Sequence, residues 1–164
     1  MLCQYNIIEL KLIFRKKMPR DKKKYILDDE KKIKLLQESR IINLATINKN
    51  GLPHLVPMWF ILDANNDINF TSYHKSQKII NLQRDNRIVI MLESGTHYEE
   101  LHGLVLEGEA EISTDKELII KIMNQITAKY KTKRDKQDIA KQANKRVNVK
   151  VKVKKIISWD IGKS

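Results

Sequence analysis

The chain has 164 residues, with 32 Lys and Arg against 20 Asp and Glu, and a formal net charge of +12 at pH 7. This length suits one domain, and 41% hydrophobic and 32% charged residues with few glycines and prolines exclude disordered, collagen-like and low-complexity classes. No apolar run approaches the roughly 18 residues of a membrane span, and the single cysteine, Cys3, excludes a disulfide scaffold.

The first 17 residues, MLCQYNIIELKLIFRKK, are unlike a secretory signal, because the apolar stretch is interrupted by charges and no cleavage site follows. Met18 begins a more ordinary start. We therefore predict that residues 1–17 are a non-native or disordered extension and that residues 18–164 form a single domain. The cysteine content fits a reducing compartment, so a cytoplasmic protein is expected.

The first half of that domain shows a helix and then strands. Asp28 or Asp29 can cap a helix over about 30–39. Two β-rich runs follow, 41–47 and 54–62, and the Asn-Gly signal between them predicts a hairpin. Because a proline cannot donate to a ladder, Pro53 and Pro57 predict an edge or a bulge for the second strand.

The next elements are a strand over 68–73, a helix over 75–85 and a strand over 87–92. A long strand over 101–112 is expected to bend at Gly103 and Gly108. Thr114 to Glu117 match a capping box, which predicts a helix that ends near Tyr130.

A polar helix over 134–144 precedes the last strand, 147–160, in which valines alternate with Asn and Lys. About six strands with few helices between them disfavour a doubly wound fold. They predict a mainly β fold, an antiparallel β-barrel with flanking helices.

One stretch, INFTSYHKSQKIINLQRD (68–85), carries the strongest chemical signal. Hydroxyl and ammonium groups crowd the end of a strand and the start of a helix, where free backbone N–H groups and the helix dipole favour an anion. The alternative is a polar helix start with solvated lysines. The residues concerned are Thr71, Ser72, Lys75, Ser76 and Lys78.

Six pieces in order, LATI, GLPH, VPMWF, FTSYHKSQKIINL, RDNRIVIML and GLVLEGEAEI, resemble the pyridoxamine-phosphate-oxidase-like split barrels, which bind a flavin or deazaflavin. The resemblance implies a six-stranded antiparallel Greek-key split β-barrel and a homodimer with two cofactor sites at its interface. It places the cofactor phosphate on Thr71, Ser72, Ser76, Gln77 and Lys78. It places the cofactor ring against the backbone of Val56, Pro57, Met58 and Trp59, with Trp159 supplied by the second subunit.

Two departures from the family pattern shape the expected chemistry. Family members often carry Arg where this chain has Gln77, so Lys75 would have to substitute for the missing charge, or the phosphate group differs. The C-terminal Arg- and His-containing segment of true pyridoxamine phosphate oxidases has no counterpart. The similarity therefore favours the small reductases that use coenzyme F420, with FMN as the other cofactor, and a small organic substrate.

Three alternatives remain open at this point. One is a heme-binding or heme-degrading split barrel, and a second is a flavin-binding split barrel without enzymatic activity. The third is a basic nucleic-acid-binding protein, which the net charge invites. The basic excess lies in residues 15–34 and 129–155, however, whereas residues 35–128 are slightly acidic. The Val-Lys strand also lacks the interleaved aromatics of single-strand binders, so nucleic acid is disfavoured.

Overall fold

The computed structural model describes residues 26–163, and the predictions for residues 1–17 lie outside this range. The helices of the described part are α1 (Asp29–Glu38), α2 (Gln77–Arg84), α3 (Lys116–Tyr130) and α4 (Lys136–Ala143). The strands are β1 (Ile42–Ile47), β2 (Pro53–Met58), β3 (Ile61–Leu62), β4 (Ile68–Tyr73), β5 (Arg87–Ser94), β6 (His102–Ser113) and β7 (Arg146–Asp160). None of the helices among these residues is both long and apolar enough to cross a membrane.

All strand pairs in the sheet are antiparallel, in the order β2-β1-β5-β6-β7-β4-β3. The 15-residue strand β7 pairs with β4 through its first residues and with β6 along most of its length. A register shift between Glu107 and Gly108 bends this long pair. The mainly β, antiparallel prediction is confirmed, as is the bend at Gly108.

The predicted number of six strands is wrong, because the described residues form seven. The run 54–62 does not continue as one strand: it breaks at Trp59 and Phe60 into β2 and β3. The buried backbone N–H of Phe60 donates instead to the hydroxyl of Tyr130, at 3.1 Å. β2 is left at the edge of the sheet, as Pro53 and Pro57 predicted.

Helix starts follow the predicted capping chemistry with two shifts. Asp28 caps α1, accepting from the backbone N–H of Lys31 at 2.8 Å. The capping box at Thr114 is wrong, because Asp115 is the N-cap of α3 and accepts from the N–H of Glu117 at 2.9 Å. α2 begins at Gln77, two residues later than predicted.

The core lies on the concave side of the sheet and is closed by α1 and α2. Alternate residues of β1 and β5 point into it, and Leu44 and Ile90 are fully buried there. Each such side chain contributes roughly 1.5–3 kcal/mol by burial. The core side of β4 and β7 is equally apolar, with Phe70 opposite Val149. This packing holds the end of β4 firmly beside α2.

The other side of β1, β2 and β5 carries an exposed apolar surface, which we call the outer face. Leu55, Val89 and Met91 are its exposed members, and Ala45 lies between Leu55 and Val89 in the register. These three side chains retain 66%, 39% and 37% of their full exposure. Contiguous apolar surface of this kind is characteristic of contact with another molecule.

Candidate functional site

Three of the predicted phosphate-binding residues meet where β4 ends and α2 begins. The hydroxyls of Ser72 and Ser76 lie 2.9 Å apart, and the ammonium of Lys78 donates to Ser72 Oγ at 3.3 Å. Ser72 is on the core side of β4 and is 4% exposed. Packing of β4 against the core therefore fixes the position of the serine that holds Lys78.

The start of α2 leaves backbone donors available at this point. Ser76 occupies the N-cap position, yet its hydroxyl makes no hydrogen bond to the first turn. Instead it bonds to Ser72. The first N–H groups of a helix have no partner inside the helix, and they carry its positive dipole end. An anion beside Ser76 would therefore accept hydrogen bonds from these N–H groups and be attracted by the positive end of the helix dipole.

A second cation, Arg146, reaches the same region from the first residue of β7. It is the cross-strand partner of Tyr73, the last residue of β4, and its guanidinium lies 4.6 Å from the centre of the Tyr73 ring. Its Nε is buried and has no hydrogen-bond partner. We refer to Ser72, Ser76, Lys78 and Arg146 as the cationic cluster.

The two cations of this cluster lack neutralising carboxylates. Within residues 26–163, no Asp or Glu forms a salt bridge with Lys78 or Arg146. Burial lowers the pKa of Lys78, and the charge of Arg146 lowers it further. Burial also lowers the pKa of Arg146, the adjacent Tyr73 side chain opposes that effect, and the exposed Arg134 adds to it. Desolvated like charges repel, so a bound anion would be stabilised here.

Gln77, which the resemblance placed at the cofactor phosphate, is engaged elsewhere. Its amide donates to Asn81 Oδ1 at 2.9 Å. The fully buried Asn81 in turn donates to Thr46 Oγ1 and Asn48 Oδ1, both at 3.0 Å. Gln77 thus belongs to a chain of amides that holds α2 against β1.

The remaining phosphate candidates lie apart from the cluster or are solvent-exposed. Thr71 is buried on the opposite side of β4 from Ser72, paired with Asn148 of β7. Lys75 is exposed in the turn between β4 and α2, without a salt bridge to any described carboxylate. The structure therefore brings together Ser72, Ser76 and Lys78, but neither Thr71 nor Lys75.

The predicted ring-binding segment lies along the edge strand β2 and just after it. Val56 and Met58 pack against the core, whereas Pro57 points outward. Pro57 lines a cleft of about 730 Å³ between α1 and the sheet, together with Arg40, Asn43 and His102. An edge strand has backbone groups free on one side, which the predicted ring contacts require.

Trp59 follows β2 and stacks on Tyr130, with ring centres 4.4 Å apart and planes 7° from parallel. It keeps 39% of its exposure, so one side of the ring remains open. The Tyr130 hydroxyl, which accepts from Phe60 N–H, also donates to Arg40 O at 2.6 Å. Tyr130 thereby fixes both the chain break after β2 and the orientation of Trp59.

Trp159 lies near the far end of β7 and packs over Gly103, where a Cβ would overlap its ring. Val147, which pairs with Ser72, is 12 residues earlier on the same strand. At ~3.3 Å per residue, twelve residues of extended strand separate the two by up to about 40 Å. Trp159 of one chain therefore cannot meet the cationic cluster of the same chain.

A further cavity of about 580 Å³ lies beneath α3. Lys150 and Asp63, which line it, form a salt bridge at 2.9 Å. Among the described residues, no group of three His, Cys, Asp or Glu side chains is arranged to hold a metal ion. The unpaired cations of the cationic cluster are therefore the more informative feature.

Sequence reasoning did not identify Arg146 as a site residue. It begins the alternating strand β7 at one of the polar positions, so the sequence alone does not distinguish it from the lysines that follow. Its partner Tyr73 is 73 positions earlier, so only strand pairing brings the two together.

Comparison with known proteins identifies the family. Residues 29–160 match the family model described as pyridoxamine 5′-phosphate oxidase. A conserved hypothetical protein from Mycobacterium tuberculosis is 31% identical, with a TM-score of 0.78, over 88% of this chain and 92% of that one.

Two more distant structures share the fold. A protein named F420 reductase is 21% identical, with a TM-score of 0.64, over 76% of this chain and 94% of that one. The heme storage protein HutZ from Vibrio cholerae is 14% identical, with a TM-score of 0.63, over 81% and 96%. A search of curated proteins found no match. On the family match and the fold together, the chain belongs to the pyridoxamine 5′-phosphate oxidase-like split-barrel family.

Proposed function

We propose that this protein is an oxidoreductase that moves a hydride between a phosphate-bearing deazaflavin or flavin, coenzyme F420 or FMN, and a small organic substrate. The observation that carries the proposal is the cationic cluster: two desolvated cations without carboxylate partners, beside two hydroxyls and a free helix start. Such a set of donors matches the needs of a phosphate group. Family membership supplies the flavin context.

The residues present fit the phosphate end of either cofactor. Lys78 supplies a point charge, held by Ser72 at 3.3 Å. Ser76 supplies a hydroxyl and, at the helix start, adjacent backbone N–H donors. Both F420 and FMN carry a phosphate on a flexible side chain, so this arrangement supports the class of cofactor and leaves the choice between them to experiment.

In the proposed reaction the cofactor and the protein have separate roles. When bound, a flavin or deazaflavin supplies the hydride chemistry itself. The protein has to hold the phosphate, present backbone groups to the ring along β2, and keep the ring face accessible to substrate. Pro57 lines a cleft wide enough for a small molecule. Trp59, two residues later in the chain, has one exposed ring face. An electron-poor, conjugated C=C bond is the substrate class we infer.

A homodimer forms part of the proposal. The outer face exposes Leu55, Val89 and Met91 on adjacent strands, and a second copy would cover it. Trp159 is too far along β7 to join its own chain's cationic cluster, so any role at a cofactor requires the partner's cluster. Light scattering should give the dimer mass for the wild-type chain, and Val89→Glu should give the monomer. A monomeric wild-type protein would contradict this part of the proposal.

We also infer a cytoplasmic location, which the single cysteine of the sequence supports. Cell fractionation with the native gene product would test it.

The proposed function is tested by titrating the full chain with F420, FMN, riboflavin and hemin in parallel, followed by turnover with an enone panel. We expect tight binding of F420 or FMN, weaker binding of riboflavin, and oxidation of the reduced cofactor on addition of a substrate. Binding without turnover across the panel would favour the non-enzymatic alternative. A Soret band with no flavin or F420 binding would favour the heme alternative. Binding of nucleic acid alone, with steep salt dependence, would overturn the proposal.

A further inference from the structure

We propose that Arg146, from the first position of β7, is the second phosphate-binding cation of this protein, and that its guanidinium makes the site select phosphorylated over unphosphorylated ligands. The inference rests on the proposed function for the identity of the ligand. Its content is independent of which cofactor is bound. It assigns a ligand contact to strand β7, 69 residues after Gln77, the residue that the family resemblance placed at the phosphate.

The first step is that Gln77 does not serve this role. Its amide donates to Asn81, and Asn81 continues to Thr46 and Asn48 of the β1 end. Turning Gln77 toward the cationic cluster would break the first link of that chain. The site therefore has one cation, Lys78, from α2 itself.

The second step is that Arg146 has free binding capacity. Its guanidinium rests near the Tyr73 ring, 4.6 Å from the centre, an arrangement that orients the planar fork. An arginine carries five N–H donors, and here the buried Nε has no partner. Among residues 26–163 no carboxylate pairs with it. A buried arginine donor without a partner costs free energy, which a ligand oxygen would recover.

The third step is that Arg146 lies beside the rest of the cluster. Its cross-strand partner Tyr73 accepts, through its backbone carbonyl, from the N–H of Ser76 at 3.0 Å, so a single residue links Arg146 to the cluster. The turn after β4 is tied to the same place, because the backbone N–H of His74 donates to Lys145 O at 3.1 Å. The positive charge of Arg146 is also felt at Lys78, whose pKa it lowers after the larger effect of burial.

These facts give a two-sided phosphate site. Lys78, Ser76 and the start of α2 approach from one side, and Arg146 approaches from β7. Two desolvated cations repel in the absence of ligand, and an anionic phosphate group between them would turn that repulsion into two charge-assisted contacts. A ligand without phosphate would gain nothing from Arg146.

The test compares Arg146→Gln with Arg134→Gln, which removes the same charge from an exposed neighbour that already acts on Arg146 electrostatically. Fluorescence quenching measures the affinities for two ligand pairs. Each pair consists of a phosphorylated ligand and its unphosphorylated counterpart: FMN with riboflavin, and F420 with its dephosphorylated chromophore. We expect Arg146→Gln to weaken the phosphorylated ligands about 10- to 50-fold and the unphosphorylated ones less than 2-fold, as for one charge-assisted contact. Arg134→Gln should change both by less than about 3-fold. Equal losses for both ligand types, or none, would overturn the assignment.

Inorganic phosphate and pyrophosphate provide the readout that separates this inference from the proposed function. Either anion should raise the thermal midpoint of the wild-type chain and of Arg134→Gln, but not that of Arg146→Gln. If no flavin or F420 binds while this pattern holds, the proposed function fails and the assignment of Arg146 stands. If Arg146→Gln does not fold, Arg146→Lys replaces it, because lysine keeps the positive charge but lacks the planar set of guanidinium donors. This variant should retain an intermediate preference for FMN over riboflavin. An unchanged preference in Arg146→Lys, with no anion effect in the wild type, would refute the assignment.

Discussion

Positively charged side chains lie at both ends of the β4–β7 pair, but carboxylates neutralise them at one end only, among the residues that the structure describes. At one end, Lys150 lies 2.9 Å from both Asp63 and Asp67, and Lys152 lies 2.7 Å from Asp67. At the other end, Lys78 and Arg146 of the cationic cluster have no carboxylate partner among the described residues. The same two strands thus support a neutralised charge network and an uncompensated one.

We interpret the paired charges as stabilising the fold and the unpaired charges of the cationic cluster as binding a ligand. The paired network joins the β3–β4 turn to β7, and Asn69 strengthens it by donating to Asp63 at 3.0 Å. Removing a partner there leaves an uncompensated, partly buried charge. At the cationic cluster, desolvated cations without carboxylate partners cost stability in the free protein, which is a common property of binding sites.

The largest effect is expected from Lys78→Met in the cationic cluster. Loss of a charge-assisted contact to phosphate should weaken FMN or F420 binding by about 2–3 kcal/mol, roughly 30- to 150-fold. Unfolding in urea should be unchanged or shifted to higher concentration, because a desolvated cation is removed. Lys141→Met, on the exposed side of α4, is the matched control and should alter neither property. A clear loss of stability in Lys78→Met would contradict the comparison.

Lys150→Met should show the reverse behaviour. It removes a cation that contacts both Asp63 and Asp67, so we expect a loss of about 1–3 kcal/mol in unfolding free energy. Its affinity for FMN or F420 should stay within about 2-fold of the wild type. Urea unfolding and ligand titration of the same preparation measure both. A variant as stable as the wild type would show that the network contributes nothing to the fold.

The paired network should also make the free energy of unfolding depend on pH in the acid range. Burial alone would raise the pKa of Asp63, but hydrogen bonds from Lys150 and from the backbone of Asp67 and Asn65 outweigh it and lower the pKa from 3.8. A lowered carboxyl pKa contributes stability that is present above about pH 4 and is lost as the pH falls through the folded-state value.

Asp63→Asn tests this dependence. The variant should be less stable than the wild type at pH 7, by about 1–2 kcal/mol, and the gap should narrow as the pH falls below about 4. Urea unfolding at several pH values between 2.5 and 7 measures it. A gap that stays constant over that range would show that the ionised carboxylate is not the source of the stability.

The smallest effect is expected for an exposed pair on the same strand β7. Lys155 lies 3.1 Å from Glu107, and both side chains are substantially exposed. Exposed pairs contribute little, so Lys155→Gln should change the unfolding free energy by less than about 0.5 kcal/mol and leave ligand binding intact. A larger loss would mean that the lysines of β7 are more than a solvated surface.

Local patterns predicted most of the elements of this fold. The alternation of valines placed β7, and the Asn-Gly signal placed the β1–β2 hairpin. Asp28 marked the start of α1. These succeed because caps, turns and alternation depend on neighbours within a few residues. The break between β2 and β3 was missed because the hydroxyl that takes the N–H of Phe60 belongs to Tyr130, 70 residues later.

The same distinction holds at the candidate site. The sequence by itself determined that Ser72, Ser76 and Lys78 stand together, since strand, turn and helix start are contiguous. Only the tertiary structure decided that Thr71 faces away, that Gln77 is held by Asn81 and that Arg146 lies over Tyr73 at the end of β4. Those outcomes depend on which face of β4 is buried and on which residue of β7 pairs with it. Register between distant strands is set by packing of the whole sheet, which no local pattern contains.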